Sequence, residues 1–484
     1  MPPACRHTPV QVDVSSHAVE AGFTRPPLNV RHRATTKSGR ATGPEINETL
    51  FPGPLVLPDD GLAIDPKEPP QSFLSWSQEK WRNPVTQERR TLYVVPFPGV
   101  SPEPSTVQTW AIPALSKSGS SKQPKFDTPE VEDVRKYLEA FYYSMPVKLF
   151  PDEVRFVPWV EENKPAPGKS KSKKSKEHEY MHEYIGLQLG NSVTRITTRP
   201  CPDKAFARQL CLTDLLDAAI TALPTDAYAI ILLVAHDTYE DEEDDFCCGR
   251  AYGGSRVCVV SSARYNPLLD GPTHADIDRQ HMWPASHCKQ FVERLCREAA
   301  EADEQEVPPA KTSNKRRKLT EQPPSSSPSE TALQQIITAS LHPPPNPKTP
   351  RALTGLWLSR LARTASHELG HCLCLAHCPY YACVMQTTGS VREDVRQPPY
   401  LCLVCLAKVR AAIKNIGDTS QVVDEAMWMV ERYGALWQFC REWEGEVGMF
   451  AGFGAWLGKR TAELEPRAAL FRVAEDNGFA RFGG

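Results

Sequence analysis

Apolar positions along the chain repeat in two ways, one typical of strands and one typical of helices. A near-continuous apolar run at 227–235 predicts a buried strand. Thr128 and Pro129 suit a helix N-cap and first helical position, and apolar residues at helical spacing follow them. Further strands are predicted at 91–95, 147–150, 154–157, 184–189 and 256–262, and further helices at 213–223, 290–300, 353–376 and 401–413. Alternating strands and helices, followed by one long helix, predict an α/β fold.

Polar segments rich in Pro, Ser and Lys interrupt this pattern and divide the chain. Residues 1–45 are aperiodic, so we expect a disordered N-terminal segment. Residues 46–127 are predicted to be an N-terminal extension and linker, and 128–415 a folded domain with disordered insertions at about 163–177 and 303–350. Residues 416–484 are predicted to be a helical C-terminal extension.

The predicted long helix carries His367-Glu368-Leu369-Gly370-His371, and His377 follows six residues later. Residues four apart lie on one face of a helix, so His367 and His371 can bind one ion. His377 joins them only if the chain bends near Cys374. Three imidazoles leave a tetrahedral zinc ion one open position, as in catalytic sites. Glu368 lies beside the first histidine and is predicted to act as the general base.

A second segment has the same pattern of two histidines and a glutamate, His178-Glu179-Tyr180-Met181-His182. The position that corresponds to a third histidine is Gln188, and the next glutamate is Glu240. A strand-like run follows directly, which leaves little room for a long helix. We therefore interpret this segment as a chance match.

A cluster of cysteines follows His377, and it predicts a second metal site. Cys378, Cys383, Cys402 and Cys405 end in a C-x-x-C pair and match a closed tetrahedral zinc site. The alternative is that they are small buried apolar residues. A zinc ion held there would support His377 from behind. Met385 lies between the two cysteine pairs and, taken alone, is a core methionine.

Composition and charge limit the kinds of binding partner and the cellular locations that we expect for this protein. A net charge of −3 gives no indication of nucleic acid, and the longest apolar run is too short for a membrane span. The N-terminus shows no secretory signal, so the 15 cysteines are expected to be reduced in the cytoplasm. A basic run at Lys315–Lys318 makes nuclear import an alternative to a solvated loop. The expected partner is a peptide or protein substrate, and the oligomeric state is not indicated.

The run from His367 to Cys405 resembles the archaemetzincin family of zinc metallopeptidases. This resemblance implies a zincin-like fold, with a twisted mixed sheet packed on the active-site helix and a small C-terminal helical part that holds a structural zinc site. It implies two zinc ions per chain, Met385 in the turn beneath the catalytic metal, and peptide hydrolysis, with aminopeptidase action on short peptides as one form. It also places the strand at 256–262 beside the cleft over His367, where we expect an edge strand.

Cys374 departs from the metzincin pattern, which usually has glycine where the helix turns. We expect Cys374 to adopt a left-handed conformation, as a non-ligand, because three ligands must still meet. Tyr380, Tyr381 and Tyr400 are nearby candidates for stabilising the oxyanion. Two alternatives to a peptidase stay open: a non-proteolytic zinc-binding interaction protein, and an oxidation-sensitive regulator that uses Cys372 and Cys374.

Overall fold

The computed structural model describes residues 7, 9–40, 46–103, 105–114, 124–159, 184–306, 331–414 and 425–476. The strands are β1 (Thr91–Val95), β2 (Gly99–Val100), β3 (Val147–Leu149), β4 (Val154–Val157), β5 (Tyr184–Leu189), β6 (Ser192–Pro200), β7 (Arg208–Cys211), β8 (Ala227–Val234), β9 (Asp237–Tyr239), β10 (Gly249–Tyr252) and β11 (Val257–Ser261). The helices are α1 (His17–Glu20), α2 (Leu28–Ala34), α3 (Gly61–Ile64), α4 (Phe73–Ser77), α5 (Val107–Trp110), α6 (Val131–Phe141), α7 (Leu212–Thr221), α8 (Lys289–Glu306), α9 (Ala332–Ser340), α10 (Pro350–Cys372), α11 (Val391–Asp394), α12 (Leu403–Ile413), α13 (Glu425–Arg441) and α14 (Gly448–Asp476). None of these helices is long and apolar enough to cross a membrane.

A five-stranded mixed sheet forms the centre of the fold, in the order β10-β11-β8-β1-β3. The pairs β1–β3, β1–β8 and β8–β11 are parallel, whereas β10 pairs antiparallel with β11. Every residue of β8 is buried, as its apolar run predicts. This arrangement confirms the predicted mixed sheet and places β10 at one of its edges.

Alternate residues of the central sheet face two hydrophobic cores, as the two-residue period of a strand requires. On one face, residues such as Ile231 and Val260 pack in the core that also contains Leu361 and Leu369 of α10. On the other face, their neighbours pack in a second core, with α7 and with a six-stranded sheet of order β2-β4-β5-β6-β7-β9. The central sheet therefore supports the long helix α10, as the resemblance implied.

The structure confirms most of the predicted elements and changes several of their ends. Strands β1, β4 and β5 have the predicted bounds, and α10 ends at Cys372 rather than near residue 376. Helix α6 begins at Val131, not at Thr128, because Glu130 has an extended backbone and occupies the N-cap position. Strands β6, β7, β9 and β10 were not predicted, since their apolar runs are short or mixed with charged residues.

The expected start of the folded domain at residue 128 is corrected by the position of β1. This strand lies inside the central sheet, between β3 and β8, and all five of its residues are buried. Its partner strands, β3 and β8, begin at residues 147 and 227. The sequence around β1 therefore does not indicate which strands it pairs with. The segment at 46–127 therefore contributes part of the core of the domain.

The expected disorder of residues 1–45 is also corrected for the part of that segment that the structure describes. Helices α1 and α2 lie there, and Arg25 and Arg31 both form ion pairs with Glu48, at 3.1 Å and 2.7 Å. The side chain of Arg25 also donates to the carbonyl of Tyr380. These contacts with distant residues order a polar segment that has no apolar periodicity of its own.

Helices cover most of the described part of the chain after residue 331. Helix α9 and the first residue of α10 lie within the region expected to be a disordered insertion at 303–350, so that expectation is corrected for 331–350. The expected insertion at 163–177 lies outside the described residues. Helices α12, α13 and α14 confirm the predicted helical C-terminal part, and α13 packs against α6 and α14.

Candidate metal centre

Helix α10 positions the first two histidines. It begins with Thr349, whose side chain accepts from the backbone N–H of Ala352, and with Pro350 at the first helical position. His367 and His371 lie one turn apart near its C-terminal end, and both side chains are half-buried. The rest of the helix is buried over nearly its whole length, so the two imidazoles have a rigid support.

The turn after α10 brings the third histidine back to the first two. Cys374 has a φ of 64°, which is the left-handed conformation that its place in the pattern predicted. The N–H of Cys374 donates to the carbonyl of His371, and the N–H of Leu375 donates to that of Gly370. These two bonds form a Schellman motif, which ends the helix and reverses the chain.

Three side chains hold the carbonyls at this helix end. Tyr228 donates to the carbonyl of Cys372 at 2.9 Å, Trp76 to that of Leu373 at 3.0 Å, and Gln71 to that of Cys374 at 3.0 Å. Two of the three come from the segment that the sequence suggested to be a peripheral extension. The left-handed turn is thus held by residues about 300 positions earlier in the chain.

The three histidines converge on one point. One potential ligand atom of each lies within 4.8 Å of those of the others, and Nε2 of His367 lies 3.0 Å from Nε2 of His371. The Nδ1 atoms of His367 and His371 lie 2.7 Å from the carbonyls of Val384 and Leu375.

The tautomers of His367 and His371 leave a nitrogen lone pair available to bind a cation. A carbonyl oxygen only accepts hydrogen bonds, so Nδ1 of both His367 and His371 carries the proton and Nε2 carries a lone pair. Burial and the neighbouring histidines lower the pKa of His367 well below its ordinary value and that of His371 to about 4. Two neutral imidazoles with facing lone pairs match the donor set of a zinc ion.

Glu68 completes the support of the third histidine and was not predicted from the sequence. Its carboxylate lies 2.7 Å from Nδ1 of His377, and the two side chains are 16% and 33% exposed. A carboxylate behind a metal-binding histidine fixes its tautomer and orientation. Glu68 lies in a Pro-rich stretch that contains no recognisable motif, 309 residues before His377. Its role beside His377 is therefore visible only in the three-dimensional structure.

Glu368 lies beside the histidines and is almost completely buried. Burial raises the pKa of its carboxyl group to about 8, and Arg250 opposes this effect. A carboxylate with a raised pKa takes up a proton more readily than an ordinary glutamate. The structure therefore brings together His367, Glu368, His371 and His377, as their spacing predicted.

The strand beside Glu368 is β10, not the predicted one. The sequence indicated an edge strand at 256–262, but β11 lies between β10 and β8. A Cβ atom on Gly249 of β10 would lie 2.9 Å from Oε1 of Glu368, so glycine allows this strand to approach the carboxylate. The second edge of β10 pairs with no strand in the described part of the chain.

Met385 lies beneath the helix that carries the histidines. It is fully buried, and its sulfur would lie 2.5 Å from a Cβ atom placed on Gly370, between the two histidines. The carbonyl of Met385 accepts from the N–H of Cys378 at 2.8 Å. This contact links the turn at Met385 to the start of the cysteine cluster.

The four cysteines form a second buried cluster. One sulfur of each of Cys378, Cys383, Cys402 and Cys405 lies within 4.8 Å of the others, and 3.5 Å separates those of Cys378 and Cys402. Hydrogen bonds from the other three thiols hold the pKa of Cys378 well below its ordinary value. The arrangement fits a four-coordinate metal ion.

Gln71 connects this cluster to the histidines. Its side-chain oxygen accepts from the N–H of Ala376, next to His377, and from Nζ of Lys408, at 3.0 Å and 2.8 Å. Lys408 is buried and lies one turn after Cys405 on α12. One amide side chain therefore contacts both metal-binding regions.

Two other predictions about the site have different outcomes. Tyr380, Tyr381 and Tyr400 are 3%, 0% and 2% exposed, so all three lie in the core and none presents its hydroxyl to a substrate. The second histidine segment, His178 to His182, lies outside the described residues.

The family model described as Peptidase family M54 matches residues 348–411. Archaemetzincin-2 of Rattus norvegicus is 37% identical over 84 residues, which are 17% of this chain and 20% of the relative. Over this segment the chain is similar to the archaemetzincins. Archaemetzincin of Methanopyrus kandleri is 37% identical over 62 residues, which are 13% of this chain and 35% of that protein. The chain spans about a fifth of the length of the Archaemetzincin-2 relatives that it matches.

Solved structures give a weaker similarity over a longer part of the chain. The crystal structure of archaemetzincin from Methanopyrus kandleri is 16% identical, with a TM-score of 0.30 over 68% of this chain and 97% of that chain. A zinc-dependent peptidase from Methanocorpusculum labreanum is 13% identical, with a TM-score of 0.28 over 66% and 99%. The similarity to archaemetzincins is therefore strongest in the sequence of the segment that carries the histidines and cysteines.

Proposed function

We propose that the protein is a zinc-dependent metallopeptidase that hydrolyses peptide bonds, with His367, His371 and His377 as the ligands of the catalytic zinc ion. The observation that carries this proposal is the convergence of three imidazoles, each with Nδ1 held by an acceptor. The match of residues 348–411 to the model of a peptidase family supports it. The same segment is what the chain shares with archaemetzincins of animals and archaea.

The remaining residues of the site have distinct roles in this proposal. A zinc ion bound there would lower the pKa of a water molecule and polarise the scissile carbonyl. Glu368 accepts the proton of that water and transfers it to the leaving amine. Burial raises the pKa of Glu368, which makes its carboxylate a stronger acceptor for that proton. Glu68 keeps His377 in the orientation that binding requires.

The substrate is a peptide that binds in an extended conformation beside β10. An extended peptide can add to an exposed sheet edge through main-chain hydrogen bonds. Strand β10 offers such an edge, and Gly249 places that edge next to Glu368. A short peptide cleaved from its N-terminus is one form of this activity. An intracellular location, cytoplasmic or nuclear, is part of the same proposal.

A second zinc ion is proposed at Cys378, Cys383, Cys402 and Cys405, which gives two zinc ions per chain in these two sites. Four thiolates leave no open position, so this ion is structural. It ties the turn after His377 to the first residues of α12. The buried Lys408 supports this proposal, because its charge offsets the excess negative charge of four thiolates around a divalent ion.

The test is a peptide-library cleavage assay with zinc-loaded wild type and Glu368→Gln. The variant is expected to retain its zinc ions and to lose activity by about 100-fold or more, because the ligands remain while the base is lost. Zinc content is measured by elemental analysis on the same samples.

The matched control is Glu179→Gln, in the second histidine segment, which is expected to cleave at the wild-type rate. An inactive Glu179→Gln together with an active Glu368→Gln would assign the chemistry to the other segment. Zinc-loaded wild type that cleaves no peptide would favour the interaction protein.

A further inference from the structure

A third group of metal-binding side chains lies away from both sites described above. His7, His281 and Cys288 are buried, and one potential ligand atom of each lies within 4.8 Å of those of the others. The rings of His7 and His281 are 5.2 Å apart and meet edge to face. Two imidazoles and one thiol are a donor set typical of zinc, with a fourth position open.

Pairing between two distant chain segments assembles this cluster. The N–H of Lys289 donates to the carbonyl of Pro9 at 2.9 Å, and the N–H of Gln11 donates to that of His287 at 2.6 Å. A β-bridge joins Val10 and Cys288. His7 reaches Cys288 because residues 9–11 run alongside 287–289.

The surroundings of His281 leave one of its nitrogens available. Its Nδ1 lies 2.8 Å from a carboxylate oxygen of Asp278, which also lies 3.8 Å from the guanidinium of Arg294. Its ring stacks on Phe291, with the two centroids 3.9 Å apart and the planes at 6°. An ionised carboxylate accepts only, so Nδ1 carries the proton and Nε2 carries the lone pair.

Two buried ring nitrogens at this cluster have no hydrogen-bond partner, Nδ1 of His7 and Nε2 of His281. Both residues are more than nine-tenths buried, at 7% and 4% exposure. Buried polar atoms are nearly always hydrogen-bonded, so two unpartnered nitrogens at one cluster require an explanation. A bound cation satisfies both atoms at once.

We propose that His7, His281 and Cys288 bind a third zinc ion, which fastens the N-terminal segment to the domain. Cys288 binds as the thiolate and releases its proton to solvent, while the imidazoles bind in the neutral form. Asp278 is the positioning residue behind His281, as carboxylates commonly are behind metal-binding histidines. The thiolate and imidazole donors favour zinc over magnesium or calcium, which prefer oxygen ligands.

The test is a zinc count on the full chain, loaded with excess zinc ion, desalted and measured by elemental analysis. His7→Gln is expected to contain one zinc ion fewer than wild type, and Cys288→Ser the same. His342→Gln is the matched control, since His342 is exposed and is expected to leave the count unchanged. Circular dichroism of each variant separates loss of the ion from loss of the fold.

Limited proteolysis gives a second readout, because release of the segment should speed cleavage within residues 9–40 of His7→Gln by several-fold. A His7→Gln variant with the same zinc count as wild type overturns the proposal, and so does a loss that His342→Gln shares. The zinc count does not depend on cleavage of a peptide. Failure of this proposal is therefore distinct from failure of the proposed peptidase function.

Discussion

At the scale of the residue, the site depends on conformations and tautomers that single positions adopt. Cys374 has a positive φ although it carries a side chain, and this turn places His377 beside the other histidines. Left-handed conformations cost a non-glycine residue about 1–2 kcal/mol. The carbonyl contacts from Trp76 and Gln71 hold the turn against this cost.

Cys374→Gly is therefore expected to stabilise the zinc-loaded protein. The relief of about 1–2 kcal/mol at the left-handed position exceeds the about 0.4–1 kcal/mol that glycine adds to the freedom of the unfolded chain. The net gain in the free energy of unfolding is about 0.5 kcal/mol, measured by chemical denaturation. Cys372→Gly, a buried helical position in the same turn, should instead destabilise. Destabilisation of Cys374→Gly by more than about 1 kcal/mol would contradict the strain argument.

At the scale of the element, the approach of β10 to α10 sets the place of Glu368, the proposed base. Gly249 lies against the carboxylate of Glu368, and Gly253, after the strand, lies against the backbone of His371. Side chains at these positions would separate the strand from the helix. Glycine at these two positions therefore allows the edge of the sheet to pack closely against α10.

Gly249→Ala is expected to lower peptidase activity by about 10- to 100-fold while zinc binding is retained, since small displacements of a catalytic group have effects of this size. The added Cβ atom would lie 2.9 Å from Oε1 of Glu368, so the carboxylate must move. Gly254→Ala is the matched control, because nothing lies within 4 Å of a Cβ atom there. Steady-state rates and zinc content are measured for both variants. Equal activity of the two would show that Glu368 tolerates the displacement.

At the scale of the whole molecule, the segment before residue 128 is part of the candidate metal centre. It supplies β1 to the middle of the central sheet, and Glu68, Gln71 and Trp76 to the turn after α10. Its first described residues add the ion pairs of Arg25 and Arg31. The candidate metal centre is therefore assembled from segments about 300 residues apart in the chain.

Glu68→Gln is expected to weaken zinc binding at the histidines by about 10- to 100-fold, the usual effect of losing a carboxylate behind a metal-binding histidine. The amide keeps the size of the side chain but removes its charge. Competition with a chromophoric chelator measures the affinity. Glu103→Gln, at an exposed position in the same segment, is the control and should bind as wild type does. An unchanged affinity in Glu68→Gln would exclude a supporting role for this carboxylate.

The sequence predicted the parts of the site that depend on local spacing. His367, His371 and His377 follow from helical periodicity and one turn, and the left-handed Cys374 follows from the need to reverse the chain there. The contact of Glu68 with His377 and the inner position of β1 depend on pairing between residues far apart in the chain. The periodicity of one segment gives no information about which distant segment it pairs with. The N-terminal helices were missed because they are short and depend on contacts with later residues. Ala18 packs in an apolar cluster with Val56 and Leu62, and Arg31 of α2 forms an ion pair with Glu48.

The side chain of Gln71 has a consequence for the order in which metal ions bind. It contacts the turn before His377 and, through Lys408, the helix that begins at the cysteine cluster. In the proposed two-zinc centre, an ion at the cysteines would restrain Lys408 and hence Gln71, which would order the turn before His377 for the second ion. Such coupling is reciprocal in free energy: each ion strengthens the binding of the other by the same factor. In the proposed two-zinc centre the ions therefore bind cooperatively, and zinc-poor conditions produce a mixture of empty and fully loaded molecules.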